Sequence, residues 1–269
     1  MQKLGINIDA LEDFALAPLK LPNYENTVKM IADLGFGAVF SDISFGAKTE
    51  KIAELCSQYA LEYQFVHTVY KGINNMWLDN IDGQQMFETL LSNIDSCSRA
   101  NVPIAVVHIS SGFTPPPITQ LGIARFTALV EHAQNKNVKI AFENLRVPKY
   151  LKWAMDNFKE NDFVGFCWDI GHENCFTKGI EYMSLYGDRL LCTHIHDNYK
   201  KLGGDLHLIP FDGKIDYKKA ALHLKKSDYN GPLMLEVFSK NEIYKDVTDI
   251  EFLTKAYNAI KKFQKLILD

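Results

Sequence analysis

Residues 164–196 read VGFCWDIGHENCFTKGIEYMSLYGDRLLCTHIH. An apolar run at 164–169 ends in Asp169, a helix-period segment follows at 178–188, and a second apolar run at 190–195 carries His194 near its end. Two short apolar runs flanking an amphipathic segment are the signature of two buried parallel strands joined by a crossover helix. The same unit recurs outward in both directions. Apolar runs lie at 3–8, 37–43, 61–67, 103–108, 139–144, 164–169, 190–195 and 232–238. Amphipathic stretches lie at 25–35, 47–60, 83–101, 122–137, 147–158, 178–188 and 216–229, with a closing helix at 248–267. Eight alternating units predict an α/β fold, a (β/α)8 barrel that takes in residues 1–269 as one domain.

Two features favour the barrel over an open doubly wound sheet. The long irregular segments, 68–82, 109–121 and 197–215, all follow strands, whereas the loops that precede strands are short. In a barrel the loops after strands form the functional face. An open sheet of the dinucleotide-binding type would carry a G-x-G-x-x-G turn after its first strand, and nothing of that kind follows Ile8. Gly35, Asn101 and Asn137 stand just before strands, where a left-handed residue ends a helix.

The 269 residues are 47% hydrophobic and 23% charged, so a large core forms without help from metal or disulfide. Net charge is −4, with 29 basic and 33 acidic side chains. The basic excess that grips a phosphate backbone is missing, so nucleic acid is not the expected partner. The five cysteines, Cys56, Cys97, Cys167, Cys175 and Cys192, are odd in number and form no C-x-x-C pair. They read as reduced thiols in a cytoplasmic protein. No run reaches the ~18 apolar residues of a membrane span.

Six of the eight histidines, His67, His108, His172, His194, His196 and His207, fall at predicted strand ends or in the loops just after them. Glu143, Asp169, Asp205 and Glu236 share that register. Any one buried histidine is ordinarily a hydrogen-bonded core residue, but side chains at strand C-termini of a closed barrel converge on one mouth. Glu236, in Met-Leu-Glu-Val-Phe, needs a partner for a buried charge. Only Arg146 lies near this set in sequence. A divalent cation answers the need better than a structural ion-pair cluster. Asp169-x-x-His172 and Asp205-x-His207 each place two ligands near one ion. Oxygen and imidazole donors without thiolates suit Zn, Mn, Fe or Co rather than calcium or a zinc finger.

At these residues the sequence resembles the xylose isomerase-like barrel superfamily, which holds sugar and sugar-phosphate isomerases and epimerases and the endonuclease IV group. The resemblance covers essentially the whole chain. It rests on Phe65-Val-His67, Val107-His108, Phe142-Glu-Asn144, Trp168-Asp-Ile-Gly-His172, Thr193-His-Ile-His-Asp-Asn198, Asp205-Leu-His207, Gly213-Lys-Ile-Asp216 and Leu235-Glu236. Two positions depart from its pattern: Tyr217 replaces the usual tryptophan and Phe211 the usual glycine.

The resemblance implies that Glu143, Asp169, His194 and Glu236 hold a central divalent metal (Mn, Zn, Co or Mg). His67 and His108, with Glu143 bridging, match a second site, and His172, Asp205 and His207 a third, so one to three ions are expected. It implies an isomerase or epimerase acting on a sugar, sugar phosphate or small hydroxy-keto compound. Glu143 and Glu236 would move the proton through a metal-stabilised enediolate. His172, and with it His67, His108 and Lys200, would contact substrate, and Trp168 and Phe238 would wall the sugar. The alternative reading is an endonuclease IV-like multinuclear zinc phosphodiesterase, to which Tyr70 adds support. A homodimer is the default for soluble enzymes.

Overall fold

The computed structural model describes residues 1–12, 23–46 and 48–269. Its eight strands are β1 (Leu4–Asn7), β2 (Ala38–Asp42), β3 (Glu62–His67), β4 (Ile104–Val107), β5 (Lys139–Glu143), β6 (Val164–Asp169), β7 (Leu190–His194) and β8 (Leu233–Leu235). All neighbours pair in parallel, in the order β7-β6-β5-β4-β3-β2-β1-β8. The seam between β7 and β8 is shut by backbone bonds from Ile195 N–H to the Met234 carbonyl and from Glu236 N–H to the Ile195 carbonyl. The cylinder is therefore closed, as the eight alternating units require.

The helices among the described residues are α1 (Tyr24–Asp33), α2 (Thr49–Gln58), α3 (Ile81–Arg99), α4 (Gln120–Asn135), α5 (Pro148–Asn157), α6 (Ile170–Phe176), α7 (Tyr182–Tyr186), α8 (Tyr217–Lys226) and α9 (Asp249–Leu268). Each of the long ones buries an apolar stripe at i, i+3, i+4 spacing, such as Met86, Leu90, Ile94 and Cys97 of α3. Gly35, Asn101 and Asn137 all take positive φ where their helices end. Thr248 and Glu251 close a reciprocal capping box at the start of α9.

Two expectations change. The crossover after β6 holds two helices where one, at 178–188, is expected: α6 begins directly after β6, and α7 follows at Tyr182. Asp169 causes the early start, because its carboxylate accepts the His172 N–H and caps α6. The last strand is also shorter than 232–238, which leaves Glu236 one residue beyond it. Residue 47, the first of the stretch expected to form α2, lies outside the described residues. None of the described helices is long and apolar enough to cross a membrane. All five cysteines are free and buried.

The barrel interior is filled by Ala38, Phe40, Phe65, Ile104, Val106, Ala141, Cys167, Cys192 and Met234. Successive side chains of a strand alternate faces, so the residue two further on occupies the next layer toward the mouth. Adding two to Phe40, Phe65, Val106, Ala141, Cys167, Cys192 and Met234 gives Asp42, His67, His108, Glu143, Asp169, His194 and Glu236. The pleat that builds the core thus sets the polar layer above it.

Candidate metal centre

The polar layer converges on His194. Its Nδ1 lies 3.2 Å from Glu143 Oε1, 3.3 Å from Glu236 Oε2 and 3.7 Å from Asp169 Oδ2. A cation with bonds of about 2.0–2.2 Å in tetrahedral array holds its ligand atoms roughly 3.4 Å apart. Each of the three carboxylates thus approaches His194 Nδ1 at about that spacing; donor atoms of Asp169, His194 and Glu236 lie within 4.8 Å of one another, as do those of Glu143, Asp169 and His172.

A second group meets the other oxygen of Glu143. Oε2 is 2.8 Å from His108 Nε2 and 3.4 Å from His67 Nε2, and the two imidazole nitrogens are 3.1 Å apart. His67 Nδ1 lies 3.0 Å from the Thr68 carbonyl, which would accept an Nδ1–H. Oε2 nevertheless has no donor in hydrogen-bonding geometry, although it is buried. A buried carboxylate oxygen without a donor, flanked by two imidazole nitrogens, is what a cation would satisfy.

The third group differs in one member from the expected trio. Asp205 Oδ1 faces His207 Nε2 at 3.4 Å and His196 Nε2 at 3.9 Å, and it too has no hydrogen-bond donor. His172 meets the other oxygen, Oδ2, at 2.9 Å through Nε2. Its Nδ1 faces Asn144 O at 3.0 Å, Glu143 Oε1 at 3.1 Å and Asp169 Oδ2 at 3.4 Å, so the ring joins the central group to the third. His196 is the residue that sequence reasoning left without a role. Its Nε2 lies 3.0 and 3.1 Å from the two Asp169 oxygens, and its ring stacks on His207 with centroids 4.1 Å apart. The H-x-H spacing after β7 was its available signal.

The loops that carry these groups are held by buried side chains. Asn144 clasps the Asp169 backbone twice, accepting its N–H and donating to its carbonyl, each at 2.8 Å. Asp197 accepts the N–H groups of Asn198, Phe211 and Ile215 and pairs its backbone with Leu208. The segment bearing Asp205 and His207 is thereby folded back over the mouth. Gly171 lets the imidazole of His196 lie against the α6 backbone, since a Cβ there would stand 1.9 Å from His196 Cε1.

No lysine among the described residues pairs with the four carboxylates, and Arg146 approaches only Asp205, at 4.0 Å. The histidines supply the compensating charge. Burial alone would depress His194 and His172; Glu236 and Glu143 beside the first, Asp169 and Asp205 beside the second, push both well above the ordinary imidazole value. For His207, Asp205 and Glu236 outweigh burial and raise it to about 9. Burial would raise Glu143, yet His108 and His194 hold it well below the usual carboxylate range. His108 is the exception, because burial outweighs Glu143 and lowers it. A site that so stabilises positive charge on its histidines would accept cations in place of those protons.

The groups open into a cavity of about 790 Å³, lined also by Asp42, Tyr70, Arg146, Phe238 and Lys240. Phe238 walls it as expected. Trp168 and Lys200 do not reach it; both line a separate cavity of about 180 Å³ beside α6 and α8. Trp168 is buried, with its indole N–H donated to Glu173. Phe211, in the place of the usual glycine, adopts φ +76°, which gives the glycine its physical reason. Tyr217, in the place of the usual tryptophan, donates its hydroxyl to the His196 carbonyl.

Comparison with known proteins agrees with this architecture. The model of the family described as xylose isomerase-like TIM barrel matches residues 28–256. An uncharacterized protein, y4fM, of Sinorhizobium fredii (strain NBRC 101917 / NGR234) is 31% identical over 166 residues, which are 57% of this chain and 53% of that protein. The chain thus spans about half the length of this curated relative. Among solved structures, D-psicose 3-epimerase with D-tagatose from Clostridium cellulolyticum H10 superposes with TM-score 0.76 at 14% identity, covering 99% of both chains. A D-tagatose 3-epimerase-like protein gives TM-score 0.73 at 19% identity, over 99% of this chain and 98% of its own. At such identities the likeness is one of fold.

Proposed function

The chain belongs to the xylose isomerase-like TIM barrel family, and from that premise we propose that it is a divalent-metal-dependent isomerase or epimerase of a sugar-like hydroxy-carbonyl compound. The observation that carries the reading is the convergence of Glu143, Asp169 and Glu236 on His194 Nδ1, within 3.7 Å, with Glu143 and Glu236 lining one cavity. The sugar 3-epimerases among its structural neighbours support the same reaction class.

Glu143, Asp169, His194 and Glu236 would hold the cation, which when bound would act as a Lewis acid on the substrate carbonyl. The chain's own residues do the rest. Shifting a carbonyl, or inverting the carbon beside it, requires a base to take a weakly acidic C–H proton and an acid to return it. Glu236 lines the cavity and its backbone is fixed by the N–H bond to Ile195, so its carboxylate is held where it can take that proton. Such positioned acid–base groups contribute about 10²–10⁴-fold. Glu143 is the less open partner, since one oxygen faces His172 and His194 and the other His67 and His108. Tyr70 and Phe238 give the cavity apolar faces suited to a sugar ring or chain.

A second reading has its own observation. With Glu143 spanning two donor groups and Asp205 heading a third, the cluster fits a multinuclear arrangement in which paired cations assist displacement at phosphorus. One experiment separates the two. Manganese-loaded protein is incubated in D₂O with a panel of ketoses, aldoses and their phosphates. Deuterium entering at the carbon next to the carbonyl supports the isomerase. No exchange with any of them, together with nicking of abasic-site DNA at moderate salt, replaces it with the phosphodiesterase.

A further inference from the structure

We infer that Arg146 is the substrate-selecting residue of this cavity and that the natural substrate carries an anionic group, phosphate or carboxylate, which its guanidinium receives. The inference rests on the sugar-isomerase reading and narrows it to one class of substrate.

Arg146 follows β5 by three residues, just beyond Glu143, and lines the cavity with its side chain 27% exposed. The guanidinium carbon lies 4.1 Å from the centroid of Phe176 and 5.9 Å from that of Phe113, and these two rings meet edge to face. Aromatic contact of this kind fixes the plane of a guanidinium while leaving its N–H edges free. Among the described residues Arg146 makes no hydrogen bond. Its nearest carboxylate oxygen, Asp205 Oδ2, is 4.0 Å away and already lies 2.9 Å from His172 Nε2. Elsewhere in this molecule a half-buried arginine is spent on structure, as Arg189 is on the carbonyls of Met155, Phe158 and Val164. Arg146 is the contrary case.

Its place in the site is equally specific. Phe176, on which it stacks, packs in turn against the ring of His172 with centroids 5.0 Å apart. The guanidinium therefore stands one ring away from the donor groups, beside the reacting end rather than on the outer rim. The cavity's other cation among the described residues, Lys240, pairs with Asp249 at 3.6 Å. A planar fork of donors held by aromatic faces matches the two oxygens of a carboxylate or phosphate, and a neutral hydroxyl would use only part of it.

The test is a binding titration on the manganese-loaded protein with D-ribose, D-ribonate and D-ribose 5-phosphate. Wild-type protein should bind at least one of the two anions about 10- to 100-fold more tightly than ribose. Preference for the phosphate alone or for ribonate alone names the group. Arg146→Gln should bring that ratio to within about threefold, by weakening the anions far more than ribose, and Arg146→Lys should keep only part of it. Equal affinity for ribose and both anions in the wild type overturns the inference. So does a preference that survives in Arg146→Gln, because the metal centre alone would then account for it. The titration reads binding, so a protein that shows this pattern but exchanges no sugar proton refutes the isomerase reading and leaves the anion site standing.

Discussion

Gly171→Ala tests whether close packing on the α6 backbone holds the polar layer in place. The added methyl would stand 1.9 Å from His196 Cε1 and 2.5 Å from both ring nitrogens. Ordinary carbon contacts need about 3.5 Å, so the imidazole must retreat by roughly 1.5 Å. It has nowhere easy to go, being fully buried, stacked on His207 and fixed at its carbonyl by the Tyr217 hydroxyl. The retreat breaks the contact with Asp169, a charge-assisted bond of about 1.5–3 kcal/mol, and overpacking adds about 1–3 kcal/mol. At roughly 2–4 °C per kcal/mol for a domain of this size, Tm should fall by about 10 °C. Metal affinity should fall about 10- to 100-fold, because His196 orients a ligand. Gly187→Ala, at φ −61° and with only the flexible Met183 tip nearby, is the control and should move Tm little. Differential scanning calorimetry and competitive metal titration read both effects. A Gly171→Ala protein within 2 °C of wild type, with unchanged metal affinity, refutes the reasoning.

Glu236→Gln should keep the fold and bind metal with reduced affinity while turnover falls at least 100-fold; near-wild-type turnover would remove Glu236 from proton transfer. Glu143→Gln, by contrast, should lose most bound metal, since both oxygens of Glu143 face donor groups; metal analysis of the purified variant decides it. Asp9 is a separate matter of stability. Burial, with Asp42 adding to it, pushes its pKa up to about 8, although the Asp42 N–H and the Tyr24 hydroxyl pull the other way. The folded state thus holds this proton more tightly than the unfolded chain, so the stabilisation is complete below about pH 4 and is lost as pH rises through 8. The loss is at most about 6 kcal/mol. Urea midpoints should show the advantage of Asp9→Asn over wild type growing from pH 5 to pH 9; an equal difference at both pH values would contradict the assignment.

The barrel was legible because each strand announces itself as an apolar run, and because two-residue alternation places Glu143, Asp169 and His194 one step above Ala141, Cys167 and Cys192. Helix ends were legible where a left-handed residue was required, as at Gly35, Asn101 and Asn137. What escaped depends on contacts between distant segments. His196 continues the register of β7 past its end, yet its place against Asp169 is set by the absence of a side chain at Gly171. The break between α6 and α7 turns on Asp169 serving as a cap, which its identity as a strand-end ligand concealed. Lys200 takes φ +61° and lines the smaller cavity, a direction that no periodicity encodes within an irregular loop. Arg146 stood out by sequence only as a neighbour of Glu143; the ring it lies over, Phe176, comes from α6.

The account stands on cations bound between Glu143, Asp169, His194 and Glu236. Anomalous-difference maps from crystals of protein purified without chelator, collected on both sides of the Mn and Zn absorption edges, test this directly. The account predicts a peak about 2.0–2.2 Å from Glu143 Oε1, Asp169 Oδ2, His194 Nδ1 and Glu236 Oε2. A map without any such peak, even after soaking in manganese or zinc, with the four side chains instead hydrogen-bonded to one another, would contradict it.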